Sequence, residues 1–198
     1  MTDNKKSEQF HLGFLATLEL ADQSWVGGLL VTNRLGRPLE FQCTSPVSAN
    51  PTQRILYGPT LVPYILTDLL GRTLVEKVAV KPDLILTERG DVLDLRELIS
   101  TPVACLDGLA DQQETVAAED QSSNNRGWTQ EPENAPADSL RLTHGRQTLR
   151  FHSAHHTDRD LIQKKIGRIP KDADLGEPFE RIREALEETT RSMRLREK

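Results

Sequence analysis

The sequence predicts an α+β protein. An antiparallel β-sheet of about five strands, in the order β-β-β-α-β-β, carries one helix on a face, and a β-hairpin with amphipathic helices follows a flexible linker. Three observations predict it. Residues 12–43 fall into three short apolar or alternating stretches separated by turn chemistry. Residues 60–78 place apolar side chains at 61, 62, 65, 66, 69, 70 and 74, a helical period. Charge is unevenly spread: residues 1–110 have ten basic and thirteen acidic side chains (net −3), residues 111–138 net −6 and residues 139–198 net +4, summing to −5.

The start, MTDNKKSEQ (1–9), is polar, lacks the apolar run of an export signal, and is expected to be disordered. In LGFLATLEL, Leu12, Phe14, Ala16, Leu18 and Leu20 share one face of a strand. WVGGLLVT (25–32) is apolar on both faces, as a central strand is. Asn33-Arg34-Leu35-Gly36-Arg37 turns the chain, and PLEFQC alternates as a third strand. The two glycines of GGLLVTNRLGRPLEF therefore lie inside a strand, where they indicate a bulge or the close approach of another element. A phosphate loop would set its glycines between a strand and a helix, and here a strand follows.

CTSPVSANPTQRILYGP, with prolines at 46, 51 and 59, forms a long connection. The helix of 60–78 begins near Val62, because Pro63 is tolerated only in a first turn. DLILT, a turn at Glu88-Arg89-Gly90-Asp91, and VLDLR form a second hairpin; RELI makes a helical turn and PVACL a last short strand. This strand order, with the GGLLVTNRLGRPL hairpin, resembles the small sensory and adaptor sheets of the roadblock/longin, profilin and PAS/GAF kinds.

Residues 10–110 thus form the core domain. Residues 111–138, rich in Gln, Glu, Ser, Asn and Pro, form an acidic flexible linker with a lone Trp128. In the basic segment 139–198, SLRLTHGRQTLRFH is a hairpin with Leu140, Leu142, Leu149 and Phe151 on its apolar face and Arg141, Arg150 and His152 on the other. A short helix runs from about His155 to Gly167. The final helix carries Leu175, Phe179, Ile182, Leu186 and Met193 as a stripe that needs a surface to cover it: this chain's own sheet, a second copy or a foreign protein.

No catalytic, cofactor-binding or metal-binding constellation emerges. Cys43 and Cys105 sit on apolar faces without a CxxC pattern, and the absence of an export signal makes reduced thiols and a cytoplasmic location the expectation. His144, His152, His155 and His156 match no zinc spacing. Residues 139–171 carry eight basic side chains against two acidic ones, with Arg141, Arg150, His152, Lys164 and Lys165 as candidate anion ligands.

The leading expectation is a non-catalytic interaction or regulatory module, with another protein or a second copy as partner through the helix stripe. The alternative is a phosphate- or nucleic-acid-binding accessory protein using the 139–171 patch. A third reading is a small enzyme with a pocket at residues 44–59. No run of apolar residues is long enough for a membrane helix, so no membrane partner is expected.

Overall fold

A computed structural model describes residues 9–107 and 140–196. The 111–138 linker with Trp128, and all but the last residue of the 1–9 start, lie outside the described residues. The strands are β1 (His11–Glu19), β2 (Trp25–Asn33), β3 (Pro38–Cys43), β4 (Leu84–Thr87), β5 (Val103–Asp107), β6 (Arg141–His144) and β7 (Gln147–Phe151). They form one sheet in the order β3-β2-β1-β4-β5-β7-β6.

The α+β class stands, but the sheet has seven strands and is mixed rather than five-stranded and antiparallel. β1–β2–β3 is an antiparallel meander, as expected, whereas β4 runs parallel to β1, and β5 parallel to β4. The expected hairpin at Glu88–Asp91 is absent. The chain instead makes a 3-10 turn at Gly90–Val92 and a short helix, α4 (Leu95–Leu98), before returning as β5. The physical reason lies in β4, whose four residues are all buried. A strand covered on both faces belongs in the middle of a parallel arrangement, which needs a crossover. With that strand order goes the resemblance to the small sensory and adaptor sheets, which rested on it.

The crossover from β3 to β4 is longer than a single helix. Asn50 caps α1 (Pro51–Tyr57) reciprocally with Gln53, and none of its residues is buried. A continuous rod follows over 61–77: α2 (Leu61–Tyr64), a π-helical stretch (Ile65–Arg72) and α3 (Thr73–Lys77). The Glu40 carboxylate of β3 accepts the Ala79 and Val80 N–H groups at 2.9 and 2.8 Å and fixes the end of this rod. Those bonds, the one from Val80 foremost, hold Glu40 below the usual carboxylate range.

Two apolar layers cover the sheet. The rod, with Val92, Leu93 and Leu95, packs on one face against Leu15, Leu29, Val31, Ile85 and Val103. On the other face lie Phe14, Val26, Leu30, Leu86, Leu149 and Phe151, covered by α6 (Glu177–Arg196) and by Ile162, Ile166 and Ile169. Phe14 meets Phe179 edge-on at 5.5 Å.

The glycine pair in β2 now has its explanation. Alternation sends the two Cα positions to opposite faces, and each lies directly under a helix. A Cβ on Gly27 would meet Leu74 and Leu70 of the rod at 3.1 and 3.2 Å; one on Gly28 would meet Ile182 of α6 at 2.8 Å. The bulge lies elsewhere, at Val31/Thr32 against β3.

The β6–β7 hairpin forms as expected and joins the sheet through β7–β5 pairing. With α6 on β1 and β2, the basic C-terminal segment completes the same core as residues 10–107. α5 (Thr157–Gln163) and a 3-10 turn at Ile166–Arg168 replace the single helix expected from His155 to Gly167. Among the described residues no helix is long and apolar enough to cross a membrane.

Candidate nucleic-acid interface

Strand order reverses between β1 and β4, and in open sheets of this type the crevice beyond the carboxyl ends of such strands is the usual ligand position. Several ion pairs lie at this end of the sheet. Glu88, just past β4, holds Arg183 of α6 at 2.5 Å, with 13% of the glutamate side chain exposed. Asp91 receives both Arg89 donors, at 3.0 and 2.6 Å, while the Arg89 guanidinium lies 5.3 Å over the Trp25 ring. Asp107, at the end of β5, is shared by Arg141 at 3.1 Å and Arg150 at 3.3 Å. Arg141 and Arg150 are cross-strand neighbours on β6 and β7, so one carboxylate offsets two cations that would otherwise repel.

The histidines serve the structure. His152 accepts the Ala154 N–H on Nδ1 at 3.2 Å. Its Nε2 faces Asp94 at 3.3 Å and Glu97 at 3.8 Å. Buried His144 meets the Pro170 carbonyl at 3.2 Å, and His156 meets the Ser153 carbonyl at 2.8 Å. Asp158, 2% exposed, receives two Arg96 donors at 2.5 and 3.2 Å and joins α4 to α5. Among the described residues, no three His, Cys, Asp or Glu side chains come together as metal ligands. Burial pushes the Cys105 thiol up to about 11.

The candidate anion ligands are therefore not one surface. Arg141, Arg150 and His152 face carboxylates on one side of the sheet. Lys165 lies 3.9 Å from Asp83, which precedes β4 and so sits at the opposite end of that strand from Glu88. Lys164 is exposed and unpaired among the described residues.

Arg146, Arg168 and Lys171 share that condition: exposed, with no hydrogen bond or ion pair to a described side chain. Geometry brings them near one another. Gly145 and Arg146 form the two-residue turn between β6 and β7, just beyond the carboxyl end of β5. Gly145 has φ +60° and sits so close to residue 171 that a Cβ there would run into the Lys171 carbonyl oxygen. The His144–Pro170 bond holds residues 170–171 against the same turn, with Arg168 two residues before them. Charge counting included these three cations, but only the ion-pair pattern separates them from their neutralised neighbours.

The helix stripe has its cover within the chain. Leu175, Phe179, Ile182 and Leu186 are 2%, 0%, 1% and 0% exposed, packed on this chain's own sheet, and Met193 is half-buried near the helix end. The stripe thus offers a partner no free apolar face at those four positions. Residues 44–59 build α1 and its flanks, with none of the α1 residues buried.

No protein-family model matches the chain, and no curated protein matches it. Among solved structures, it is similar to an Endonuclease V from Bacillus subtilis (14% identity, TM-score 0.37), over 52% of this chain and 45% of that one. It thus spans less than half of that neighbour's length. Two structures of Ciona intestinalis Endonuclease V are similar over 92% of this chain and 88% of theirs, at 12% and 11% identity and TM-scores of 0.46 and 0.49. Both are complexes with DNA containing an inosine followed by a ribo-adenosine. Likeness at this level carries no argument about what this chain does. The expected non-catalytic interaction or regulatory module took its partner through the helix stripe, which this chain's own sheet covers. With the helix stripe already buried, that expectation is withdrawn.

Proposed function

We propose that the chain binds the phosphate backbone of nucleic acid through the surface formed by the β6–β7 turn and residues 168–171. One observation carries this reading: Arg146, Arg168 and Lys171 are exposed and unpaired in a region whose other arginines are held by carboxylates. Cations left without a partner are free to replace counterions on a phosphate chain, and that exchange supplies most of non-specific binding. The patch lacks exposed aromatic rings for stacking, which favours backbone contact over base readout. The DNA in the two Ciona complexes is consistent with such a partner. Net charge does not oppose it: without residues 111–138 at −6, the rest of the chain sums to +1.

The test is fluorescence anisotropy with labelled single- and double-stranded DNA and RNA 30-mers at low salt. The wild-type chain is compared with the Arg146→Glu, Arg168→Glu, Lys171→Glu triple variant. All three side chains are exposed, so the variant should keep its fold, as circular dichroism would verify. Binding lost in the variant supports the proposal. Absence of binding by the wild-type chain, or equal binding by both, rejects it.

A further inference from the structure

A cavity of about 400 Å³ lies between the β2–β3 turn, the amino-terminal half of β1, Ile169 and the start of α6. That is within the range of small-molecule sites. Its floor is apolar, with Leu12, Phe14, Ile169 and Leu175 all buried. Four charged residues line the rest: Arg34, Arg181, Asp174 and Glu177.

The two acids are already engaged. Asp174 Oδ1 accepts the N–H groups of Gly176 and Glu177 at 2.8 and 3.2 Å, so the first turn of α6 has its cap and offers little to a ligand. Glu177 holds Arg181 Nη2 at 2.8 Å. The two cations are less committed. Arg34 is exposed and makes no ion pair with a described residue. Arg181 also donates from Nη2 to the Gly36 carbonyl at 3.3 Å, but its side chain is 34% exposed and its Nη1 bonds to no described residue. An anion in the cavity would give Nη1 an acceptor through a charge-assisted bond.

We infer that this cavity binds a small organic anion. A carboxylate or phosphate group would meet Arg34 and Arg181, and an apolar body would lie on the Leu12–Phe14–Ile169–Leu175 floor. The site adjoins the proposed nucleic-acid surface through Ile169, but Arg146, Arg168 and Lys171 do not line it.

Isothermal titration calorimetry of the full chain with phenyl phosphate and benzoate tests this, with benzyl alcohol and inorganic phosphate as controls. At least one aromatic anion should bind more tightly than both controls. Arg181→Gln should weaken it roughly tenfold or more, the loss of a charge-assisted hydrogen bond. Arg34→Gln alters an exposed side chain, cannot unfold the core, and should weaken it as well. Binding of neither anion at millimolar concentration overturns the inference. So does equal binding of inorganic phosphate and phenyl phosphate, or affinity unchanged in Arg34→Gln and in any folded Arg181→Gln protein.

Discussion

The glycine at position 28 should be irreplaceable, whereas its neighbour at 27 should tolerate alanine better. A Cβ on Gly28 would sit 2.8 Å from Ile182 Cγ2, 3.2 Å from Leu186 Cδ2 and 3.3 Å from Leu186 Cγ. Carbon atoms prefer separations of roughly 3.5–4.0 Å. Ile182 is β-branched within a helix and 1% exposed, so its χ1 cannot rotate away, and α6 itself must shift. Overpacking of this kind costs about 1–3 kcal/mol. Alanine returns about 0.4–1 kcal/mol by restricting the unfolded chain. The net loss for Gly28→Ala is then about 1–2 kcal/mol, or roughly 2–8 °C in Tm for a domain of this size. At Gly27 the nearest atoms are Leu74 Cδ1 at 3.1 Å, the movable end of a side chain, and Leu70 Cβ at 3.2 Å, so the loss should be smaller. Urea unfolding followed by far-UV circular dichroism measures both. Ile182→Leu, which removes the β-branch, should recover part of the Gly28→Ala loss. A Gly28→Ala protein as stable as wild type, or two equal substitutions, would refute the close approach of α6 to β2.

Two further outcomes follow from buried groups. Asp158→Ala should cost about 3–5 kcal/mol, because it strands the Arg96 guanidinium, whose side chain is only 17% exposed. Replacing both partners by Met and Leu should recover most of that in chemical denaturation, and a single-variant loss near zero would mean the pair is solvated. Cys105 should resist iodoacetamide at pH 8 until the chain unfolds, since its thiol is pushed from 9.0 up to about 11. With the folded value above the unfolded one, the native state keeps its proton longer. Stability should therefore fall as pH rises from about 9 to 11, by roughly 2–3 kcal/mol relative to Cys105→Ala. A pH profile identical for the two proteins would contradict this.

How much of this was legible in the sequence depended on how local the cause is. The three strands at 11–43 were legible because alternation and turn residues are local signals, and β1–β3 fall within a residue or so of their expected bounds. The long final helix was legible from its stripe, and its docking on the home sheet was one of three covers the stripe allowed. The region after β4 was misread because VLDLR alternates like a strand, while Val92, Leu93 and Leu95 serve a turn and a short helix packed on the rod. Only the burial of LILT on both faces distinguishes a crossover from a hairpin, and burial is set by elements far away in the chain. The same holds for the cations. Arg150 lies 43 residues from Asp107, and Arg183 lies 95 from Glu88, so no local pattern tells a neutralised arginine from a free one. The Arg34–Arg181 cavity joins residues from a hairpin turn and the last helix, and was equally out of reach.

The central claim is that three unpaired cations meet nucleic-acid phosphates, and salt dependence tests it most directly. The slope of log K against log salt reads about 0.9 per phosphate neutralised on duplex DNA and about 0.7 on a single strand. The wild-type chain should therefore give a slope of roughly −3 on duplex DNA. Arg146→Gln, Arg168→Gln and Lys171→Gln should each make it shallower by about one unit. A slope near zero, or one that none of these substitutions changes, would contradict the account.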